Sequence, residues 1–365
     1  MYSNKKKIFL FTSDIASFIG KNDYDFVTPF ERLWKRCDKN DYEEIINNSK
    51  QLLLKTDMEI NDLEKDKGFL KTDLDKGNIT KRQYTLRLNK IERKVLELQN
   101  TSKSLENKID SIDLNQEDRL RKTLGEDKIK LVQSSSIETQ DKRDNIKNAI
   151  NEMKISEKQK SELLKETEGF INKTHGTLKE NSAIEIYEKR FGVKLDTSQT
   201  FFKKQIVKDD DIEWYVGGRL DGLYIDEENH SNSYIIEIKN RTRGFFTSLR
   251  EYEKIQIYMY MYMLNIPVAK LVEKFNDQIR ITVIYKTDEY MNEILDYLGM
   301  FIERFKKFLS DGYLKKEFVD SDNCNKQKIL RKLYLNDINK EINKRLESNL
   351  QDDLDDEECL INDDL

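Results

Sequence analysis

The sequence predicts an α/β protein: a core with a mixed β-sheet flanked by helices, interrupted by a long helical coiled-coil insertion. Three observations lead there. Strand-like stretches at 200–207, 214–225, 234–239 and 279–285 alternate with helical ones in the second half of the chain. A sustained heptad rhythm occupies 84–112. The 365 residues are 36% charged with only two prolines, as expected of a globular part joined to long solvated helices.

Taken in order, residues 8–37 read as globular. Ser13 or Asp14 can cap a short helix, and Pro29 opens a second one with Phe30, Leu33 and Trp34 on one side. Trp34 reads as core. From about 41 to 167 the pattern is helical. Tyr84, Leu88, Ile91, Val95, Leu98, Ser102, Leu105, Ile109 and Ile112 step by four and three, with only Ser102 breaking the apolar series. Leu53, Ile60, Leu63, Leu70 and Leu74 keep a weaker version of that rhythm. Between the two runs, Gly77 and Asn78 stop one helix, and Thr80 with Gln83 forms a capping box for the next. The economical reading is an antiparallel helical hairpin, whose 84–112 stretch would reach roughly 43 Å. Further helices are expected at 116–132 and 137–167, broken at Ser134–Ser136.

Globular character returns near 170. A helix is expected over 177–191, closed by Gly192, then three antiparallel-looking strands, a helix at 248–264, a strand at 279–285 and a helix at 288–309. Another helix (325–346) precedes an acidic tail that reads as solvated. The expected segments are thus 1–40 and 168–318 for the core, 41–167 for the insertion, and 319–365 for the C-terminal helix and tail.

Composition narrows the function classes. Cys37, Cys324 and Cys359 lie far apart without CxxC spacing, which argues against disulfides, structural zinc and four-cysteine clusters. No run approaches the roughly 20 apolar residues of a membrane helix, and no signal peptide is evident, so an intracellular, soluble protein is expected. The net charge of −5 announces no global preference for nucleic acid, although a local basic patch is compatible with it.

The chemistry concentrates in "YIIEIKNR", Tyr234–Arg241. Strand alternation puts Ile235, Glu237 and Lys239 on one face, and a carboxylate and an ammonium on a half-buried face are costly unless paired, metal-bound or working. Upstream, "GGRLDGLYID" turns through "EENHSN" into this strand. A hairpin would set Asp221 opposite Glu237 to Lys239, within a residue or so of register. Two carboxylates and a lysine converging this way suit Mg²⁺- or Mn²⁺-assisted phosphodiester hydrolysis. Arg241, Arg243, Arg250 and Lys254 follow as either a phosphate grip or a solvated surface. The alternating Tyr and Met of 258–263 read as core packing, and His230 as an exposed turn residue.

Asp221, Glu237 and Lys239, spaced D-x15-E-x-K, resemble the PD-(D/E)XK nuclease motif, with Leu220 where a proline is usual. "TSDIASFIGKNDYDFVTPFERLWKR", "HGTLKENSAIEIYEKRFG" and "YEKIQIYMYMYML" are similar to segments of the lambda exonuclease/YqaJ viral recombinase group, over about 8–37 and 172–310. The coiled coil is absent from that family's usual plan. The resemblance implies a restriction-endonuclease-like core and a metal-dependent DNA exonuclease of viral recombination, repair or replication, digesting 5′→3′ from duplex ends.

It implies metal ligation by Asp221, Glu237 and the Ile238 carbonyl, completed by Glu180 directly or through water. Lys239 would be the catalytic lysine, with Gln256 supporting it or the phosphate and Tyr260 flanking it. Ser13 matches a position contacting the terminal phosphate, and Arg219 stands where the group often has a small polar residue. Glu185 and Glu188 are rivals of Glu180 on the same helix, and His175 lies off its face. Homo-oligomers and a single-strand annealing recombinase partner would follow, in host cytoplasm or nucleus if the source is viral. A structure-specific or single-strand endonuclease is the alternative of like chemistry. A non-catalytic DNA-binding, coiled-coil assembly protein is the alternative of another class.

Overall fold

The computed structural model describes residues 6–22, 24–113, 115–208 and 211–345. The acidic tail, Cys359 and the side chain of Ile112 lie outside these residues. The chain runs β1 (Lys6–Phe11), α1 (Thr12–Phe18), α2 (Val27–Cys37), α3 (Lys39–Asp75), α4 (Lys81–Asp113), α5 (Gln116–Leu124), α6 (Glu126–Gln133), α7 (Thr139–Glu152) and α8 (Glu157–Phe191). It continues β2 (Phe201–Lys208), β3 (Ile212–Arg219), β4 (Gly222–Tyr224), β5 (Tyr234–Asn240), α9 (Glu251–Leu264), β6 (Val268–Phe275), β7 (Gln278–Tyr285), α10 (Asp288–Ser310), α11 (Gly312–Asp320) and α12 (Asn323–Leu330). After α12 one π-type turn, Arg331–Leu335, leads back into α-helix as far as residue 345.

Two compact units form, Met1–Asp38 with Asn172–Leu365, and Lys39–Ile171. The first holds all the strands among the described residues, in an α/β arrangement of mixed sheets flanked by helices. One sheet has the order β1-β3-β2, with β1 parallel and β2 antiparallel to β3. The other has the order β4-β5-β6-β7, with only the β5–β6 pair parallel. Four differences from the sequence reading stand out. The expected 214–225 strand breaks at Leu220–Asp221, so the chain leaves one sheet and enters the other there. β1 and β6 are strands that the pattern did not reveal. The expected 177–191 helix is the end of α8, which begins at Glu157 and passes through His175 and Gly176 unbroken. The 116–132 and 137–167 stretches are each divided, the first at Gly125, whose φ of +88° few other residues adopt, and the second between Glu152 and Glu157.

Strand β5 is the buried spine of the larger sheet. Tyr234, Ile236 and Ile238 pack with Val272 of β6 against Ala183, Ile184 and Tyr187 of α8. The other face carries fully buried Ile235 beside α9, whose Tyr258, Met259, Tyr260 and Met261 are all buried. The Tyr-Met alternation is therefore core packing, as its spacing suggested.

Beside the sheets lies an aromatic core. The Phe30 ring meets those of Phe301, Phe305, Phe308, Phe318 and Tyr334 at centroid distances of 4.9–6.3 Å. Trp34 is fully buried against Phe308 and Phe318, in keeping with its reading as core. Cys37 is buried, and burial pushes its thiol up to about 12.

In the second unit α3 and α4 form a helical hairpin. Thr80 and Gln83 make the expected capping box, each side chain accepting from the other's backbone N–H at 3.3 and 2.9 Å. Gly77 adopts φ +77° at the preceding stop. The seam positions from Tyr84 to Ile109 are turned inward, and Ser102, the polar one, donates to Asp57 Oδ1 at 2.8 Å. Lys94 pairs with Glu59 across the same two helices. Leu120, Ile129, Val132, Ile146, Ile150, Phe170 and Ile171 build a small separate core in this unit.

Both tryptophans, Trp34 and Trp214, are buried in the first unit, so their fluorescence reports its unfolding. Phe30→Ala is expected to cost that transition about 3–5 kcal/mol in urea. Tyr313→Ala, at a residue 80% exposed, should shift it by less than about 0.5 kcal/mol.

Candidate functional site

The β4–β5 register pairs Gly222 with Ile236, and one further step sets Asp221 opposite Glu237. Asp221 sits in the break between β3 and β4, where its Oδ2 accepts the Ile238 N–H at 2.7 Å. Its carboxyl thus occupies the ladder position that β4 is too short to fill. Burial pushes Asp221 up to about 6, against the opposing pull of Lys239 and the Ile238 N–H.

Glu237 is 2% exposed. Its Oε1 accepts from Lys239 Nζ at 2.5 Å, whereas its Oε2 is buried with no hydrogen-bond partner. Burial first, and Asp221 second, push Glu237 up to about 7. For Lys239 the balance is reversed: burial alone would depress it, but Glu237 and Asp221 outweigh burial and hold the ammonium protonated. Lys239 Nζ also reaches Gln256 Oε1 at 3.5 Å. Gln256 Nε2 donates to the Tyr260 hydroxyl at 3.1 Å, and Tyr260 is hydrogen-bonded to the Thr12 side chain. One helical turn on α9 therefore links the lysine to the start of α1.

Glu180 is half-buried on α8 and accepts from Gln199 Nε2 at 3.3 Å. Burial raises its pKa, and the Glu237 charge raises it further. Its rivals are placed otherwise. Glu185 is exposed, and Glu188 accepts the Leu195 N–H at 2.8 Å and pairs with Lys194, bracing the loop that follows α8. His175 lies within α8 and His230 is exposed in a turn. Asp221, Glu237, Lys239 and Gln256 are thus brought together, with Glu180 near enough to feel the Glu237 charge. Among the described residues, no group of three or more His, Cys, Asp or Glu side chains is close enough to hold a metal ion by itself.

The candidate DNA contacts separate into two groups. Ser13, Arg219 and Arg243 are exposed. Tyr260 is buried at 4% exposure and serves the interior network above. Arg241 is turned inward as well. Its NH1 and NH2 donate to the two Glu253 oxygens at 2.7 and 2.9 Å, its Nε donates to Glu273 at 2.8 Å, and its guanidinium lies 3.9 Å from the Phe246 ring centroid. Arg280 holds the other Glu273 oxygen. Sequence reasoning missed Glu253, Glu273 and Arg280. One signal was available for Glu253, which precedes Gln256 by three positions and shares its helix face. Arg250 and Lys254 lie over the rings of Phe246 and Tyr290 at 4.4 and 3.8 Å.

Backbone proximity matters beside Tyr260. A Cβ on Gly218 would stand 2.5 Å from Thr12 Oγ1 and 2.9 Å from Tyr260 Cε1.

The ion-pair network carries a testable consequence. Arg241→Ala strands Glu253 and leaves Glu273 with Arg280 alone, both carboxylates being about 2% exposed, and is expected to destabilise the first unit by about 3–5 kcal/mol. Arg241→Lys should recover only part of that loss, because an ammonium cannot make the fork to Glu253. Urea unfolding followed by tryptophan fluorescence measures both.

No protein-family model and no curated protein sequence matches the chain. Among solved structures it is similar to an alkaline exonuclease, LHK-Exo, from Laribacter hongkongensis, at 14% identity over 51% of this chain and 88% of that one, with a TM-score of 0.31. The complex of LHK-Exo with dAMP gives 16% identity over 52% and 89%, with the same TM-score of 0.31. The crystal structure of SSO0001 gives 17% identity over 38% of this chain and 65% of that one, with a TM-score of 0.28. The structural similarity is distant, and it includes an exonuclease.

Proposed function

We propose that the chain is a Mg²⁺- or Mn²⁺-dependent deoxyribonuclease with a restriction-endonuclease-like core, acting as an exonuclease on DNA ends. The observation that supports this best is the buried, partnerless Glu237 Oε2 beside Asp221. An unpaired carboxylate oxygen in the interior is costly, and a hard divalent cation is the partner its chemistry fits. Asp221, Glu237 and the Ile238 carbonyl would hold the metal, and Glu180 would complete the set directly or through water. Two protein carboxylates suffice for Mg²⁺, which keeps several waters. When bound, the metal supplies an acidified water and a Lewis acid for a phosphate oxygen.

The remaining work falls to the chain itself. Lys239, whose Nζ is held by Glu237 at 2.5 Å, offers an N–H to the phosphate oxygen as negative charge develops there. Gln256 steadies the ammonium and Tyr260 steadies Gln256, so the donor is aimed before substrate arrives. We read 41–167 as a coiled-coil insertion in this core, without a chemical role of its own.

Three measurements test the reading. Lys239→Ala should lower Mg²⁺-dependent cleavage of linear duplex DNA by about 100-fold or more while tryptophan fluorescence stays native. Undiminished cleavage in that variant sinks the assignment. Covalently closed circles should survive under conditions that degrade linear DNA, and their cutting would favour an endonuclease. Mg²⁺ should raise the thermal midpoint of wild type and of Lys239→Ala but not of Asp221→Asn, a readout that needs no catalysis.

A further inference from the structure

The smaller sheet has one face in the core and one in solvent. Ile8, Leu10, Trp214 and Val216 point inward and are buried. The register Phe9↔Tyr215, Gly217↔Lys203 and Arg219↔Phe201 puts the alternate residues together on the outer face. Four aromatic rings meet there. Phe9 stacks on Tyr215 at 5.4 Å and meets Phe201 edge-on at 6.1 Å, and Phe11 meets Phe201 at 6.2 Å. Phe201 is 39% exposed and the other three rings are half-buried. A soluble protein ordinarily gives such a face polar side chains.

The cations on this face follow the rings. Lys203 Nζ lies 6.0 and 5.9 Å from the Phe9 and Tyr215 centroids, Arg219 lies 5.9 Å from Phe201, and Arg36 lies 4.2 Å from Phe11. Glu213 accepts from the Tyr215 hydroxyl and pairs with Lys7 at the far end of the sheet. The rest of the face is therefore positive, in a chain whose net charge is −5. Gly217 lies in its middle, and a Cβ there would stand 2.5 Å from the Phe201 ring, so the glycine leaves the space that ring occupies. Position adds to composition. Arg219 ends β3 two residues before Asp221, at most about 7 Å along the backbone. Phe11 ends β1 immediately before Thr12, which is bonded to Tyr260.

We propose that this face binds single-stranded DNA, with bases stacking on the rings and phosphates meeting Lys203, Arg219 and Arg36. The inference deepens the nuclease reading, on which it rests for the polymer being DNA. Rings with interleaved cations on an open sheet suit unstacked bases, whereas a duplex keeps its base faces covered. The platform abuts the break that holds Asp221, so it serves the strand entering or leaving the site. It is a binding surface, separate from the groups that would touch the scissile phosphate.

The test is fluorescence anisotropy of a labelled oligothymidylate with the full chain in EDTA, where no cleavage occurs. The double variant Phe201→Leu/Tyr215→Leu keeps apolar bulk but loses stacking, and its affinity should fall at least about tenfold. Lys203→Gln should lower the slope of log K against log salt by about 0.7. The double variant should keep the Mg²⁺-dependent rise in thermal midpoint, so stacking on the face and the metal site fail separately. Unchanged affinity in the double variant overturns the proposal, and so does a wild-type protein that does not bind the oligomer. A concentration-dependent mass that the double variant abolishes, with oligomer binding intact, also overturns it by making the face a contact for a second copy.

Discussion

The strand-bearing half of the molecule depends on the burial of one carboxylate, Glu237, beside a second one, Asp221. Two like charges in a poorly solvated place are unfavourable, and a single lysine from the same strand face has to offset both. The surroundings are arranged to keep that lysine in place. Tyr234, Ile236 and Ile238 anchor the opposite face of β5 to α8, so the backbone cannot shift to relieve the charges. α9 brings Gln256 to the ammonium from above. Arg241, two residues on, ties the end of β5 to Glu253 of α9 and to Glu273 of β6. The ion-pair network and the charged cluster are thus two ends of one short strand, the first rigid and fully paired, the second left with an oxygen to spare.

Much of this was legible in the sequence because it is local. Parity along "YIIEIKNR" separates the apolar set from Glu237 and Lys239, and the hairpin connection after β4 limits where Asp221 can fall. The Thr80–Gln83 box and the heptad seam are likewise read within a few residues of themselves. The missed features are nonlocal. In β6, "VAKLVEKF", the charges at Lys270 and Glu273 disguise a strand. Lys270 lies 3.5 Å from the Tyr234 ring centroid, and Glu273 is held by Arg241, just past β5, and by Arg280 of β7. Each charge is satisfied by a partner far off in sequence, which a pattern of hydrophobic and polar letters does not contain. β1 escaped for a like reason, since its parallel partner β3 follows the whole helical unit in sequence. The unbroken α8 shows the opposite error. Gly169 and Gly176 each cost the helix only about 1 kcal/mol, and the flanking turns continue through both.

The helical hairpin bears on how specificity is written into a seam. Ser102 interrupts an otherwise apolar series, and its hydroxyl finds Asp57 on the other helix. A hydrogen bond at one level, together with the Lys94–Glu59 pair, defines the stagger of α3 on α4 in a way that interchangeable aliphatic contacts do not. The polar break that weakens the heptad reading is the part of it that specifies register.

Gly218 brings no functional group to the site, yet it lies in contact distance of two residues that do. With no side chain there, Thr12 and Tyr260 close over the backbone, and Tyr260 in turn holds Gln256 against Lys239. A methyl group at 218 would press on an aromatic ring that is 4% exposed, and the displacement would pass along the hydrogen bonds to the ammonium. Variation at this position would therefore look like the loss of Gln256 or Lys239, although both would still be present. A survey that scores positions by the chemistry of their side chains would pass over it, because what this residue contributes is an absence of volume.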